Sequence, residues 1–250
     1  MTIIAAILAT MALVNAAAAA EPAAPCAVPE SLLPAETALT HAAGEIKDRH
    51  RLDISVVGSA SSALSGPDGA RFAYPAQLQQ ALTERLPGID IKVTPHIQLR
   101  QTTADMVAAL PKILTADQPA LVIWQAGTVD ALRGIEADDF RASLEQGIDL
   151  IAAGADVVLM NMQYSPRTES MLGVSAYADV MRWVADQRGV MLFDRLAIMH
   201  YWSDTGVFDL YAATHGYAMA RRVHECIGRA LALQIISAGR LDVKKADLAR

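Results

Sequence analysis

The sequence predicts an α/β protein: a doubly wound, flavodoxin-like parallel sheet of five strands with helices on both faces. Three observations carry that expectation. Short apolar runs rich in β-branched residues recur along the chain, a longer stretch of helical period separates each from the next, and none shows the polar alternation of a sheet with one wet face. Strands buried on both faces and joined through helices are parallel, and right-handed crossovers then wind the sheet in both directions.

Leu52 to Val57 reads as the first strand, ended by Gly58, and Tyr74 to Leu86 as a helix stopped by Pro87 and Gly88. Ile89 to Val93 is the second strand. Thr102 to Thr115 is helical across Pro111, and Ala120 to Trp124 is a buried third strand. Glu136 to Ala153 has the clearest amphipathic period and stops at Gly154. Asp156 to Met160, a helix over Ala176 to Gln187, a fifth strand Val190 to Phe193 and a last helix from near His215 to about Ser237 complete the pattern.

The first twenty residues are apolar and alanine-rich, and Ala18, Ala19 and Ala20 supply the small-residue pattern of a cleavable export signal, although no Lys or Arg precedes the apolar stretch. The expected division is a signal peptide over 1–20, an N-terminal extension with a helix over 21–50, the α/β domain over 51–240 and a polar tail over 241–250. The mature chain is expected in a periplasm-like compartment or outside the cell, with no membrane span. In an oxidising compartment Cys26 and Cys226 can close a disulfide; two unrelated buried thiols is the other reading.

A chain of 250 residues, 53% of them apolar, can bury one sizeable core. Its net charge of −6, with no run of Lys or Arg, argues against nucleic acid or an anionic membrane surface as partner and leaves small molecules or glycans. The histidines show no metal-ligand spacing and no cofactor motif is present, so neither metal nor cofactor is expected. Oligomeric state cannot be read from these residues.

In a doubly wound sheet, ligands bind beyond the carboxyl ends of the strands. Three segments fall there: Gly58-Ser59-Ala60-Ser61-Ser62 after the first strand, Gln125-Ala126-Gly127-Thr128-Val129-Asp130 after the third, and Thr214-His215-Gly216 before the last helix. Ser59 and Ser61 are the candidate nucleophiles, with Ser59 preferred because it follows Gly58 directly, and His215 is the candidate base. Serines after strands also cap turns, and a histidine ahead of a helix also serves structure. Gly58, Arg100, Gln125, Gly127 and Asp130 are candidates for oxyanion or substrate contacts, and Asp130 also reads as a structural carboxylate.

From about Leu52 to Ala232 this order of segments resembles the SGNH hydrolases, the GDSL-like esterases. The resemblance implies a serine that attacks an acyl carbonyl, a histidine that carries its proton, and backbone and Asn donors for the oxyanion. Gly127-Thr128-Val129-Asp130 matches the family's Gly-x-Asn-Asp except at Val129. Ala60 stands at the nucleophile position, Ser59 at the Asp before it, Arg100 or Gln101 at the second-block Gly, and Ala212 at the Asp three residues before His215. Aligning Gly216-Tyr217 instead puts Tyr211 at the histidine position. Two readings follow from the resemblance: an exported hydrolase of ester or acetyl groups, on a small-molecule, glycan or lipid ester, using a displaced serine and His215, or a catalytically inactive relative that binds an acylated or glycan ligand, or a partner protein, in the same cleft.

Overall fold

The computed structural model describes residues 26–166, 169, 173–210 and 216–241. The expected signal segment, His215 and all but the first residue of the tail lie outside the described residues. The strands are β1 Arg51–Gly58, β2 Asp90–Ile97, β3 Leu121–Gln125, β4 Asp156–Met160 and β5 Met191–Phe193. All pairings are parallel, in the spatial order β2-β1-β3-β4-β5, which is the flavodoxin-like arrangement.

The helices in chain order are α1 Thr40–Arg49, α2 Gly69–Phe72, α3 Tyr74–Arg85, α4 Thr103–Asp117, α5 Thr128–Arg133, α6 Ala137–Ala152, α7 Val174–Arg188, α8 Arg195–Asp204 and α9 Gly216–Gly239. One layer packs α3 and α1 against α9, and the other packs α4 on α6 and α6 on α7. Between these layers every residue of the central strands β3 and β4 is buried, which explains their unbroken apolar runs.

Two departures from the sequence reading have clear causes. β2 runs four residues past Val93 to Ile97, through Pro95. An edge strand tolerates a residue with no amide donor, whereas a central strand does not, so the proline marked an edge rather than an end. The short helix α8 follows β5 at once because the Asp194 carboxylate accepts the Ala197 N–H at 3.0 Å and starts it. The helices α2 and α5, of four and six residues, are too short to show a period.

The residues ahead of β1 pack on the rest of the fold at several points. The N–H of Ala42 in the first turn of α1 donates to the Asp156 carboxylate at 2.9 Å, so a side chain from β4 caps a helix whose own N-cap position is Leu39. Trp202 Nε1 donates to the Ala27 carbonyl, and Gln234 Nε2 to the carbonyls of Pro34 and Leu192. Cys26 and Cys226 are joined by a disulfide that spans 200 residues of sequence.

Candidate active site

Strand β1 ends in Gly58, and the chain then closes a single 3-10 turn over Ala60–Ser62, with the Ser62 N–H on the Ser59 carbonyl at 2.9 Å. A Cβ at Gly58 would stand 2.5 Å from Ser62 Oγ, so a side chain there would displace the Ser62 hydroxyl from its place in the turn. Gln125, the last residue of β3, is fully buried beneath the turn. Its Oε1 accepts from the Ser59 N–H and hydroxyl at 3.3 Å each, the Ser61 hydroxyl at 3.0 Å and the Ser62 hydroxyl at 3.1 Å. Its Nε2 faces the Ala126 carbonyl and Thr128 Oγ1, both at 3.4 Å. Exchanging the amide's ends would set its oxygen against a carbonyl and its nitrogen against the Ser59 N–H, so the orientation is fixed by its neighbours.

An amide oxygen holds a hydroxyl proton but cannot remove it, so Gln125 organises the serines without activating any of them. Depth separates them. Ser59 is 2% exposed and Ser62 wholly buried, with its Oγ also 3.1 Å from the Tyr74 hydroxyl, whereas Ser61 is half-buried and Ala60 exposed. Of the two candidate nucleophiles, Ser61 therefore reaches the surface better than Ser59.

Gly127 adopts φ of +93°, and a Cβ there would lie 2.5 Å from Met162 Sδ. It turns the chain from β3 directly into α5. Asp130 is buried and accepts both the N–H and the hydroxyl of Thr103, at 3.0 and 2.9 Å, which ties the start of α4 to α5. Arg100 sits exposed on the turn between β2 and α4, where its carbonyl accepts from Arg133 Nη2 at 2.9 Å. The fold brings Gly58, Ser59, Ser61, Gln125 and Gly127 together; His215 falls outside the described residues.

Behind the serine turn lies a group that the sequence reading passed over. Arg195, the first residue of α8, is fully buried. Its Nη1 donates to the Ser61 carbonyl at 3.0 Å, its Nη2 to Gln163 Oε1 at 3.2 Å, and its guanidinium lies 5.7 Å from the centre of the Tyr74 ring. Burial pushes Arg195 down to about 10, which leaves it charged at neutral pH. His224 on α9 accepts the Tyr74 N–H on Nδ1 at 2.9 Å. Burial, reinforced by the Arg195 charge, pushes His224 down to about 3, so it stays neutral. Burial likewise raises the Tyr74 hydroxyl. Arg195 was findable from its place at the carboxyl end of the fifth strand, whereas Tyr74 and His224 carry the apolar-face pattern of ordinary core residues.

Away from the serine turn, a meeting of serine, histidine and carboxylate has the wrong order for acyl transfer. Asp117 stands in the middle, accepting from Ser55 Oγ at 2.7 Å and contacting His96 Nε2 at 2.5 Å, so no imidazole faces that hydroxyl. Beside the serine turn, an apolar groove of 420 Å³ runs along β2, lined by Ala63, Leu64, Ala73, Val93, Ile97 and Leu99 among others. A larger cavity of 530 Å³ between α3 and α9, lined by arginines and glutamates, shares no residue with the turn.

Comparison with known proteins fits this geometry. The chain is 33% identical to esterase TesA of Pseudomonas aeruginosa over 112 residues, covering 44% of this chain and 54% of that protein. It is 34% identical to an arylesterase of Vibrio mimicus over 95 residues, covering 38% and 46% respectively. The chain thus spans about half the length of the curated relatives it matches. Among solved structures, a lipase/acylhydrolase from Enterococcus faecalis superposes with a TM-score of 0.63 at 21% identity, covering 78% of this chain and 99% of that one, and shows the shared SGNH-type fold. The model of the non-GDSL lipase-like family matches residues 25–240, and the absence of Gly-Asp-Ser at Gly58-Ser59-Ala60 agrees with that description: the chain belongs to the non-GDSL lipase-like family.

Proposed function

We propose that the protein is an exported hydrolase of ester or acetyl groups, with Ser61 as the attacking hydroxyl and His215 as its base. One observation carries the reading: three serine hydroxyls are gathered at the carboxyl end of β1, and one of them, Ser61, is within reach of solvent. Ser61 must leave Gln125 when substrate enters, since its proton has to pass to an imidazole. The apolar groove along β2 suits the acyl chain, because Ala63 and Leu64 carry it up to the serine turn. Export rests on the small-residue signal ending at Ala20.

A second reading, binding without cleavage, draws on a specific observation as well. Ala60 occupies the nucleophile position and Gln125 Oε1, which is not a base, receives all three hydroxyls. Labelling with a fluorophosphonate, followed by peptide mapping, separates the two. Hydrolysis requires adduct on the peptide holding Ser59 to Ser62, turnover of p-nitrophenyl acyl esters, and a loss of about a thousandfold or more in kcat for Ser61→Ala and for His215→Ala. An unlabelled protein with no turnover sinks the hydrolase reading and leaves the binding one. Mass spectrometry of protein from the native envelope should show an N-terminus near Glu21; intact Met1 in the cytoplasm overturns export.

A further inference from the structure

We propose that Arg195 is the receptor for a carboxylate, so that the ligand of this cleft carries, or leaves behind, a free carboxylate group. A guanidinium presents its Nε–H and one Nη2–H side by side on one edge, spaced to match the two oxygens of a carboxylate. On Arg195 that edge is half used. Nη2 meets only the amide oxygen of Gln163 at 3.2 Å, and Nε is buried with no acceptor among the described residues. The opposite side of the group is anchored by Nη1 on the Ser61 carbonyl, so the open edge is held in place.

The surroundings supply no counter-charge. Among the described residues no carboxylate contacts Arg195, and its neighbours Tyr74 and His224 are both neutral at pH 7. A buried cation without an anion is costly, and a fold gains nothing in stability by keeping one. Both acceptors of Arg195 belong to residues that reach the surface, since Ser61 and Gln163 are each half-buried. Gln163 Oε1 takes the place of one carboxylate oxygen. Swinging that side chain outward frees the whole edge, and an entering carboxylate replaces one neutral acceptor with two charged ones.

The inference rests on the ester-site reading only in its choice of carboxylates, and its test is independent of turnover. In the wild-type protein, the arginine Nε–Hε resonances are followed by ¹⁵N NMR on addition of acetate, octanoate or monomethyl succinate. Acetamide, chloride and phosphate at matched ionic strength are the controls. One Nε–Hε signal should shift saturably with the carboxylates and not with acetamide or chloride, and it should vanish from the spectrum of Arg195→Met. Arg195→Met should raise the Kd for carboxylates at least tenfold, and Gln163→Ala should lower it several-fold by removing the internal competitor. Tighter binding of monomethyl succinate than of acetate or octanoate assigns the site to an ester bearing its own acid group; the reverse assigns it to the free acid. No saturable shift in the wild type, an unchanged Kd in either variant, or a preference for phosphate overturns the proposal. If Arg195→Met does not fold, the wild-type titration and Gln163→Ala decide it alone. Ester turnover without carboxylate binding sinks this inference and spares the hydrolase, and carboxylate binding without turnover does the opposite.

Discussion

Two arginines flank the end of β5 and are treated in opposite ways. Arg182 on α7, with its side chain 39% exposed, donates from Nε to Asp194 and from Nη1 to Asp179, both at 2.7 Å. Arg195, fully buried, has the neutral oxygens of Ser61 and Gln163. The charge that water still screens has two counter-ions, and the charge removed from water has none. Stability alone would choose the reverse, since unpaired burial of a cation costs far more than exposing one. Asp194 belongs wholly to the first arrangement. Burial acts to raise its carboxyl, but hydrogen bonds from Arg182, Asn161 and the Ala197 N–H outweigh that and hold it below the usual carboxylate range. The Arg182 side is built to be stable, and the Arg195 side is built to wait for an anion.

The largest test of this contrast is the disulfide, because Cys226 sits two residues beyond His224 on the helix that backs Arg195. For a loop of 200 residues, replacing both cysteines by serine should cost about 5 kcal/mol in urea unfolding, less whatever structure the unfolded chain retains. Hydrogen exchange should then quicken around Tyr74 and His224 before it does around Arg182. An unchanged unfolding midpoint removes the tether from the account.

Next in size is Asp194→Ala. It strips Arg182 of one carboxylate, uncaps α8 and leaves Asn161 Nδ2 without its acceptor, so a loss of about 3 kcal/mol is expected in thermal or urea unfolding. A loss under about 1 kcal/mol would mean that this ion-pair side is no firmer than the other.

The effect of pH is smaller and follows from His224. Its folded pKa of about 3 lies below that of the unfolded chain, so as pH falls the unfolded state takes up the proton first. Stability is therefore complete above about pH 6.5 and declines toward pH 3 by at most about 1.4 kcal/mol per unit. Asp194, held low, acts only below about pH 4. His224→Gln should flatten the Tm profile between pH 6.5 and 4, and an unaltered slope assigns the decline to other groups.

The smallest change is expected from Arg195→Met, which should alter stability by about 1 kcal/mol or less in either direction. The lost hydrogen bonds to Ser61 and Gln163 are offset by relief of an uncompensated buried charge. A cost above about 3 kcal/mol would make Arg195 a structural post and erase its contrast with Arg182.

How far the sequence could be read depended on whether the signal was local. Val-Val-Leu-Met in β4 and Leu-Val-Ile-Trp in β3 announce buried strands, because both faces demand apolar residues and no distant partner alters that. The turn Gly58 to Ser62 was legible as a place for chemistry from its position after β1. Which serine lies deepest was not, because that depends on Gln125 arriving from β3, 66 residues from Ser59. Arg195 was legible by its place at the carboxyl end of β5, but its burial was not. An arginine opening a helix normally reads as solvated, and only the packing of α8 beneath the serine turn, 134 residues away, shows it to be buried.

The bond between Cys26 and Cys226 also sets a timetable for the nascent chain. Synthesis runs from the amino end at about 5–20 residues per second, so Cys26 emerges roughly 10–40 s before the thiol it must meet. Through that interval it is an unpaired thiol, and the sheet has to assemble without the seam. Because the sequence holds only two cysteines, no wrong pairing is possible within one chain. The hazard while waiting is a second unfinished chain, whose own Cys26 is equally unpaired.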